Sequence, residues 1–192
     1  AYAVPTDIGY NGFQGTLYEA YAKQGLWARA LEFGEPSDRE LDGLDNRDLV
    51  QIARVCEGRQ NWKLAKRLPE RLLIRDGSGA EAHYLQGRVA LAQGQYEAAS
   101  VHFEQACASG HVHSEFYLGV ANEKNGRSSQ AIRAYVRVPS NDVYRPFALA
   151  KAITLLTQIP ESELAAIGTS KSELIELLDQ VITGMRLLKR PV

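Results

Sequence analysis

Apolar residues recur along this chain at the spacing of an α-helix, and no sustained stretch alternates apolar with polar residues as a half-exposed strand would. In one segment, Leu49, Ile52, Ala53 and Cys56 share a face at the 3.6-residue helical period. Segments with the same period follow one another, separated by short turns that contain glycine, proline, asparagine or serine. The pattern predicts an all-α chain.

Two helical segments repeat the same order of residue types, and they cover residues 80–107 and 112–138. Aligned on Gly87 and Gly119, each has a second glycine seven residues later, then a small, an aromatic and an apolar residue. The matched pairs are Gly94 and Gly126, Ala99 and Ala131, Phe103 and Tyr135, and Ala106 and Val138. Repetition of this kind indicates stacked units that share a binding surface.

Two weaker copies precede these segments. They carry Leu17, Tyr21, Gly25, Trp27 and Ala30 in the first copy, and Ala53, Cys56, Trp62 and Ala65 in the second. The four copies start at residues 11, 46, 80 and 112, which are 35, 34 and 32 residues apart. The order and the period resemble the tetratricopeptide repeat (TPR), a helix–turn–helix unit of about 34 residues.

The resemblance implies a single α-solenoid domain over residues 1–192, built from stacked helix–turn–helix repeats. The repeats are expected near residues 11–45, 46–79, 80–111 and 112–140, followed by a helical C-terminal cap over residues 141–192. About five helical hairpins would then stack into a right-handed superhelix.

Three residues depart from the repeat pattern in the first two units. Tyr18 stands where a small residue belongs, and Leu72 replaces an alanine. Pro69 lacks a backbone N–H and is expected to disturb the second helix of the second repeat.

Helix boundaries are signalled at several points. The first helix is expected to begin near Thr16, because glycine, proline and asparagine are frequent before it. Ser37 is a candidate cap for a short turn through Leu44. A further helix is expected over residues 144–156.

The C-terminal segment predicts an amphipathic helix. Ser170 and Glu173 form a capping box. The apolar stripe that follows consists of Leu174, Leu177, Leu178, Val181, Ile182 and Met185. This helix is expected to seal the last repeat; the alternatives are a partner or a further repeat that docks on it.

Composition excludes few functions. The chain has 192 residues, 45% of them hydrophobic, and a formal net charge of −1. Nothing in this balance suggests a nucleic-acid or membrane surface, and no apolar run approaches the roughly 18 residues that span a bilayer. Two isolated cysteines, Cys56 and Cys107, fit either a cytoplasmic or a periplasmic location.

The strongest candidate for metal chemistry is a group formed by His102, Cys107, His111 and His113. Thiolate and imidazole groups are good zinc ligands, but this spacing matches no closed zinc motif. Solvated or capping histidines are the preferred interpretation, so no metal or other cofactor is expected. The chain also lacks nucleotide-binding, serine-hydrolase and zinc-protease motifs, and no catalytic residue is predicted.

In TPR proteins the first helix of each repeat lines a concave groove. The resemblance therefore implies a groove lined by Arg47, Val50, Gln51, Arg54, Glu81, Tyr84, Leu85, Arg88, His113, Phe116, Tyr117, Val120, Arg145 and Leu149. From this set we expect partner binding by Gln51, Arg54, Tyr84, Arg88, His113, Phe116, Tyr117 and Arg145. Arg54 and Arg88 hold equivalent positions one repeat apart, so they should align along the groove. Guanidinium groups beside aromatic rings suit a partner with both carboxylates and apolar anchors.

One branch of the family, the chaperone cofactors, grips a C-terminal carboxylate with a Lys/Asn/Arg clamp. The matching positions here are Gly15, Glu19, Gln51, Glu81 and Leu85. Without the clamp, an adaptor for heat-shock proteins is not expected.

The function predicted is a non-enzymatic scaffold that binds another protein or a peptide segment with acidic and apolar residues. No nucleic-acid partner and no membrane insertion are expected. The repeats look similar to those of bacterial scaffold proteins in envelope, secretion or exopolysaccharide export assemblies. This similarity is an analogy at the level of fold. The alternatives are a secretion chaperone and, with less support, a metal-dependent accessory of an enzyme.

Overall fold

A computed structural model describes residues 8–74 and 79–160, together with Ser172, Ile175, Glu176 and Asp179. Every regular element in these residues is a helix and none is a strand, which confirms the all-α prediction. The helices are α1 (Ile8–Ala22), α2 (Trp27–Ala30), α3 (Asp38–Gly43), α4 (Asn46–Arg59), α5 (Trp62–Ala65), α6 (Pro69–Leu73), α7 (Gly79–Ala92), α8 (Tyr96–Ala108), α9 (Ser114–Lys124), α10 (Ser128–Arg137) and α11 (Arg145–Leu156).

The chain forms two compact units, residues 1–85 and residues 86–192, and the division falls within α7. In the first unit α1 packs on α2, α2 on α4, and α4 on α5. In the second unit α8 packs on α9, α9 on α10, and α10 on α11. Packing between helices close in sequence is the pattern of a repeat protein, in which each repeat contacts its neighbours.

In the repeats near residues 80–111 and 112–140, the two helices of each repeat pack closely where a glycine faces an aromatic ring. A Cβ atom placed on Gly87 would lie 2.7 Å from Cε1 of Phe103, whose ring is fully buried. Gly119 faces the buried ring of Tyr135 in the same way, at even closer range. In both pairs the partners are sixteen residues apart in the chain. Gly87 and Gly119 therefore make room for these rings.

The first repeat reverses this arrangement, which explains the departure at Tyr18. Its side chain is 7% exposed, and the glycine of the pair is Gly34, sixteen residues later. A Cβ atom on Gly34 would lie 3.4 Å from Cγ of Tyr18. The large residue now lies on α1 and the small one in the segment after α2, so the ring is accommodated where the pattern has a glycine.

In the second repeat, the disturbance predicted at Pro69 is confirmed. The residues that would form one second helix instead form two short ones, α5 and α6, and Pro69 occupies the first position of α6. Proline is well suited to that position because the first N–H groups of a helix have no intrahelical acceptor. Leu72, the other departure in this repeat, is fully buried.

Three of the turns between paired helices share one backbone conformation at a glycine. The φ angles of Gly25, Gly94 and Gly126 are +68°, +73° and +74°. Gln60 holds the equivalent place in the second repeat, with a φ angle of 56°. Glycine adopts this left-handed region without a steric penalty, which accounts for its recurrence in the turns.

Helix boundaries follow the sequence signals except at the N-terminal end. Ser37 caps α3 as predicted: its Oγ accepts a hydrogen bond from the N–H of Glu40 at 3.3 Å, and its own N–H donates to Glu40 Oε2 at 2.8 Å. Helix α1, in contrast, begins at Ile8 and not near Thr16. Single glycines lower helix propensity by about 1 kcal/mol but do not prevent a helix, so they mark its start poorly.

The core of the second unit joins α10 to α11. Its buried residues are Ala131, Ile132, Tyr135, Val138, Ala148, Leu149, Ala152 and Leu156. The hydroxyl of Tyr135 donates to Glu123 of α9, and Glu123 Oε2 also lies 2.9 Å from Lys151 Nζ of α11. The hydrogen bond and the ion pair hold three consecutive helices at one point.

The predicted C-terminal cap lies mostly outside the described residues. That applies to Ser170, Glu173 and the whole apolar stripe from Leu174 to Met185. The four positions described between residues 172 and 179 are helical and exposed.

Candidate partner-binding surface

Helix α9 and the segment before α11 bring four rings together in the second unit. We call His113, Phe116, Tyr117 and Tyr144 the aromatic cluster. The rings of Phe116 and Tyr144 stack with centroids 4.5 Å apart and planes inclined by 9°. The ring of Tyr117 lies edge-on to both, at 5.2 Å from Phe116 and 5.6 Å from Tyr144. All four residues are half-buried, so the cluster combines fixed geometry with accessible surface.

Helical spacing explains the contribution of α9. His113 precedes the helix, while Phe116 and Tyr117 lie in its first turns, three and four residues further on. Residues at these separations fall on the same side of a helix. Three of the four rings are therefore placed together by local structure alone.

Arg88 adds a positive charge to the cluster. Its guanidinium carbon lies 4.0 Å from the centroid of the Tyr117 ring, which is the geometry of a cation–π contact. Phe103 stacks on Tyr117 as well, at 5.8 Å between centroids. A stacked guanidinium uses its face for the ring, while its N–H groups lie in its plane and can form a fork for a carboxylate.

Tyr144 is held in place by its own segment and by α9. Its backbone N–H donates to Asp142 Oδ1 at 2.8 Å, and Tyr117 donates a hydrogen bond to its hydroxyl at 3.2 Å. The hydrogen bond with Tyr117 and burial raise the pKa of Tyr144 well above that of a free phenol. The hydroxyl therefore stays protonated well into the alkaline range.

Asp142 connects the segment before α11 to His113. The Asp142 side chain has no exposed surface, and its Oδ2 lies 2.9 Å from Nδ1 of His113. The ring of His113 also meets the ring of Tyr144 edge-on at 5.4 Å. The sequence analysis missed both Asp142 and Tyr144 as site residues, because it took Tyr144 only as the start of a helix and Asp142 as part of the segment before it. The one signal was Asp142 two residues before Tyr144, at the start of the helix predicted over residues 144–156.

Arg145, another predicted binding residue, has a different neighbourhood. Its Nη1 donates to the carbonyl oxygens of Val136 and Val138, both at 2.6 Å, at the C-terminal end of α10. Burial lowers the pKa of its guanidinium. These bonds satisfy carbonyl groups that a helix end leaves without partners. A role for Arg145 in partner binding stays a prediction.

The remaining predicted residues lie in the first unit. Tyr84 is only 5% exposed, and its hydroxyl donates to Glu57 Oε1 at 2.8 Å. The Arg54 side chain is 71% exposed, with its Nε 3.9 Å from Glu81 Oε1, and Gln51 is half-buried on the same helix. Arg54 belongs to the first unit and Arg88 to the second, and their alignment along one groove stays a prediction.

The residues considered as metal ligands have other partners. His111 Nδ1 lies 3.0 Å from Ser114 Oγ, and His113 is bound to Asp142. Within residues 8–74 and 79–160 and the four isolated positions, no three His, Cys, Asp or Glu side chains form a group that could hold a metal ion.

Both cysteine thiols are expected to react slowly in the folded protein. Burial, followed by the charge of Glu35, raises the pKa of Cys56 to about 12. Burial, followed by the charge of Glu115, raises the pKa of Cys107 to about 12. Since the thiolate is the reactive form, alkylation at pH 8 should be slower than in the unfolded chain by a factor on the order of a thousand. The rate of reaction with a thiol reagent, with and without guanidinium, measures this ratio. Equal rates would show that at least one thiol is accessible and ionised.

Comparison with known proteins identifies the type of fold but assigns the chain to no family. No family model matches the chain, and no curated protein matches its sequence. Among solved structures, the crystal structure of MamA is similar, with a TM-score of 0.59 over 91% of this chain and 98% of that chain, at 16% sequence identity. MamA is a TPR-type helical solenoid, so this chain has a TPR-like helical-repeat fold.

Within the described residues, no helix is both long and apolar enough to cross a membrane.

Proposed function

We propose that this chain is a TPR protein that acts as a non-enzymatic scaffold and binds a segment of another protein on the aromatic cluster. The observation that carries the proposal is the position of Arg88 against Tyr117, next to the stacked pair of Phe116 and Tyr144. Aromatic residues and arginine are the side chains most enriched where protein interfaces gain their energy. The partner segment is extended or helical and carries both acidic and apolar residues.

Exposed apolar side chains close in sequence to the cluster support the proposal. Val143 is 70% exposed and Phe147 is 64% exposed, on either side of Tyr144 and Arg145 in the chain. Val112, which precedes His113, is 60% exposed. Exposed apolar side chains close in sequence to fixed aromatic rings are a feature of many interaction sites. As the setting we propose an assembly of the bacterial envelope, or of secretion or exopolysaccharide export, by analogy with the style of the repeats.

Peptide selection tests the proposal and does not require the natural partner. The full chain is immobilised, and random twelve-residue peptides are selected on it by phage display at pH 7. We expect selected peptides that combine Asp or Glu with aromatic or aliphatic residues. They should lose binding to Tyr117→Ala and keep it on Arg127→Ala, since Arg127 forms an exposed ion pair with Glu97 away from the cluster.

Circular dichroism of Tyr117→Ala, together with a Tyr117→Phe variant, separates loss of binding from loss of fold. Peptides that bind all variants equally would place the interaction elsewhere on the chain. Failure to select any peptide on the wild-type chain would contradict the proposal that it binds a linear segment.

A further inference from the structure

We propose that His113 makes recognition of an acidic partner by the aromatic cluster dependent on pH, with Asp142 as the positioning residue; this inference rests on the proposed function. The side chain of Asp142 has no exposed surface and has a hydrogen-bonding neighbour at each of its two oxygens. Oδ2 faces His113 Nδ1 at 2.9 Å, and Oδ1 accepts the backbone N–H of Tyr144 at 2.8 Å.

An ionised carboxylate can only accept hydrogen bonds, and this determines which ring nitrogen of His113 carries hydrogen. Nδ1 must donate to Asp142, so the neutral ring has its hydrogen on Nδ1 and a lone pair on Nε2. Protonation then takes place at Nε2. The hydrogen-bonding character of Nε2 thereby changes from acceptor to donor when the ring becomes charged.

Nε2 is the nitrogen that remains for a partner. The contacts of His113 in the described part of the chain are with Asp142, Tyr144 and His111, and none of them is a hydrogen bond to Nε2. The side chain is 39% exposed, while the carboxylate at Nδ1 has no exposed surface. A partner carboxylate therefore meets a lone pair at high pH, which repels it, and a charged N–H donor at low pH, which binds it.

The other charged and titratable groups around His113 have defined roles. Asp142 and Tyr144 face it from the segment before α11. The ring of His111, from the same segment as His113, is 6.3 Å away between centroids. From α7, the charge of Arg88 acts on Tyr144. Histidine side chains in general change charge between about pH 5 and 8, so binding is best compared near the two ends of that range.

Nitrogen NMR of the imidazole rings tests the orientation of His113 without any partner. In the full chain at pH 8, we expect hydrogen on Nδ1 and an unprotonated Nε2. The Asp142→Asn variant should lose this preference, because an amide can also donate to Nδ1. Hydrogen on Nε2 in the wild-type chain would overturn the inference directly.

Binding of an acidic peptide tests the consequence. As a probe we take an acidic peptide selected on the chain at pH 7 and measure its dissociation constant at pH 5.5 and pH 8. We expect about tenfold tighter binding at the lower pH, the difference between a charge-assisted hydrogen bond and none. His113→Gln should bind with little pH dependence, Asp142→Asn should show a reduced one, and His111→Gln should keep it.

The outcomes separate the two proposals. If no peptide is selected at any pH, the proposed function fails, and this inference fails with it. If peptides bind at the aromatic cluster but equally well at both pH values, only the role of His113 is overturned. A pH dependence that persists in His113→Gln would also overturn it, because another group would then be responsible.

Discussion

Replacement of Gly119 by leucine should lower the free energy of unfolding by about 3 kcal/mol, the upper end of the usual cost of overpacking a core. A Cβ atom alone at this position would overlap the ring of Tyr135, and Tyr135 is fully buried. The ring cannot move outward, because its hydroxyl is bound to Glu123 and its face packs in the core with α11. Helices α9 and α10 would have to separate.

Denaturation in guanidinium, followed by circular dichroism, measures the effect. The matched control is Gly58→Ala in α4, where a Cβ atom would meet nothing within 4 Å. Alanine is the better helix former, so this variant should be up to about 1 kcal/mol more stable than wild type. An unchanged stability of Gly119→Leu would show that α9 and α10 do not pack closely at this glycine.

Removal of the Arg88 side chain should weaken binding of an acidic partner segment by roughly thirtyfold, or about 2 kcal/mol, the usual cost of breaking one side of a desolvated charge pair. The Tyr117 ring holds the guanidinium by its face at 4.0 Å, so the donor groups are oriented before the partner arrives. Orientation in advance reduces the entropy lost on binding. Since the chain has a net charge of only −1, the attraction is local and affinity should fall only moderately with added salt.

Calorimetric titration of Arg88→Ala, Tyr117→Ala and the double variant tests this. Loss of the ring releases the guanidinium, so the two single effects should overlap and the double variant should lose less than their sum. Arg127→Ala is the control, because exposed ion pairs contribute little. Equal affinity of wild type, Arg88→Ala and Tyr117→Ala would show that binding uses a surface other than the aromatic cluster.

Most of the fold could be predicted from the sequence because its signals are local or periodic. The order of residues alone identifies two hairpins: each has a glycine, at position 87 or 119, and an aromatic residue sixteen positions later. Tyr18 was understood only as an exception, since nothing in one sequence shows that Gly34, in the segment after α2, is the small residue that faces its ring. The start of α1 was missed because glycine weakens a helix without ending it.

Only part of the candidate site could be predicted from the sequence in the same way. His113, Phe116 and Tyr117 could be placed together because they lie within four residues of one another on one side of a helix. Arg88 could be assigned to the preceding repeat by register, but its contact with Tyr117 depends on how α7 and α9 pack.

By itself, the sequence determined that this protein is helical, that its helices pair through small and aromatic residues, and that one repeat contributes a row of aromatic side chains. Only the tertiary structure decided that Tyr144 stacks on Phe116, that Asp142 binds His113, and that Arg145 is bound to carbonyl groups at the end of α10. The physical reason is distance along the chain. Helical periodicity is set by bonds between residues four apart. A contact across 28 or 29 residues, as for the first two of these pairs, depends on how the intervening turn closes and how the next helix packs.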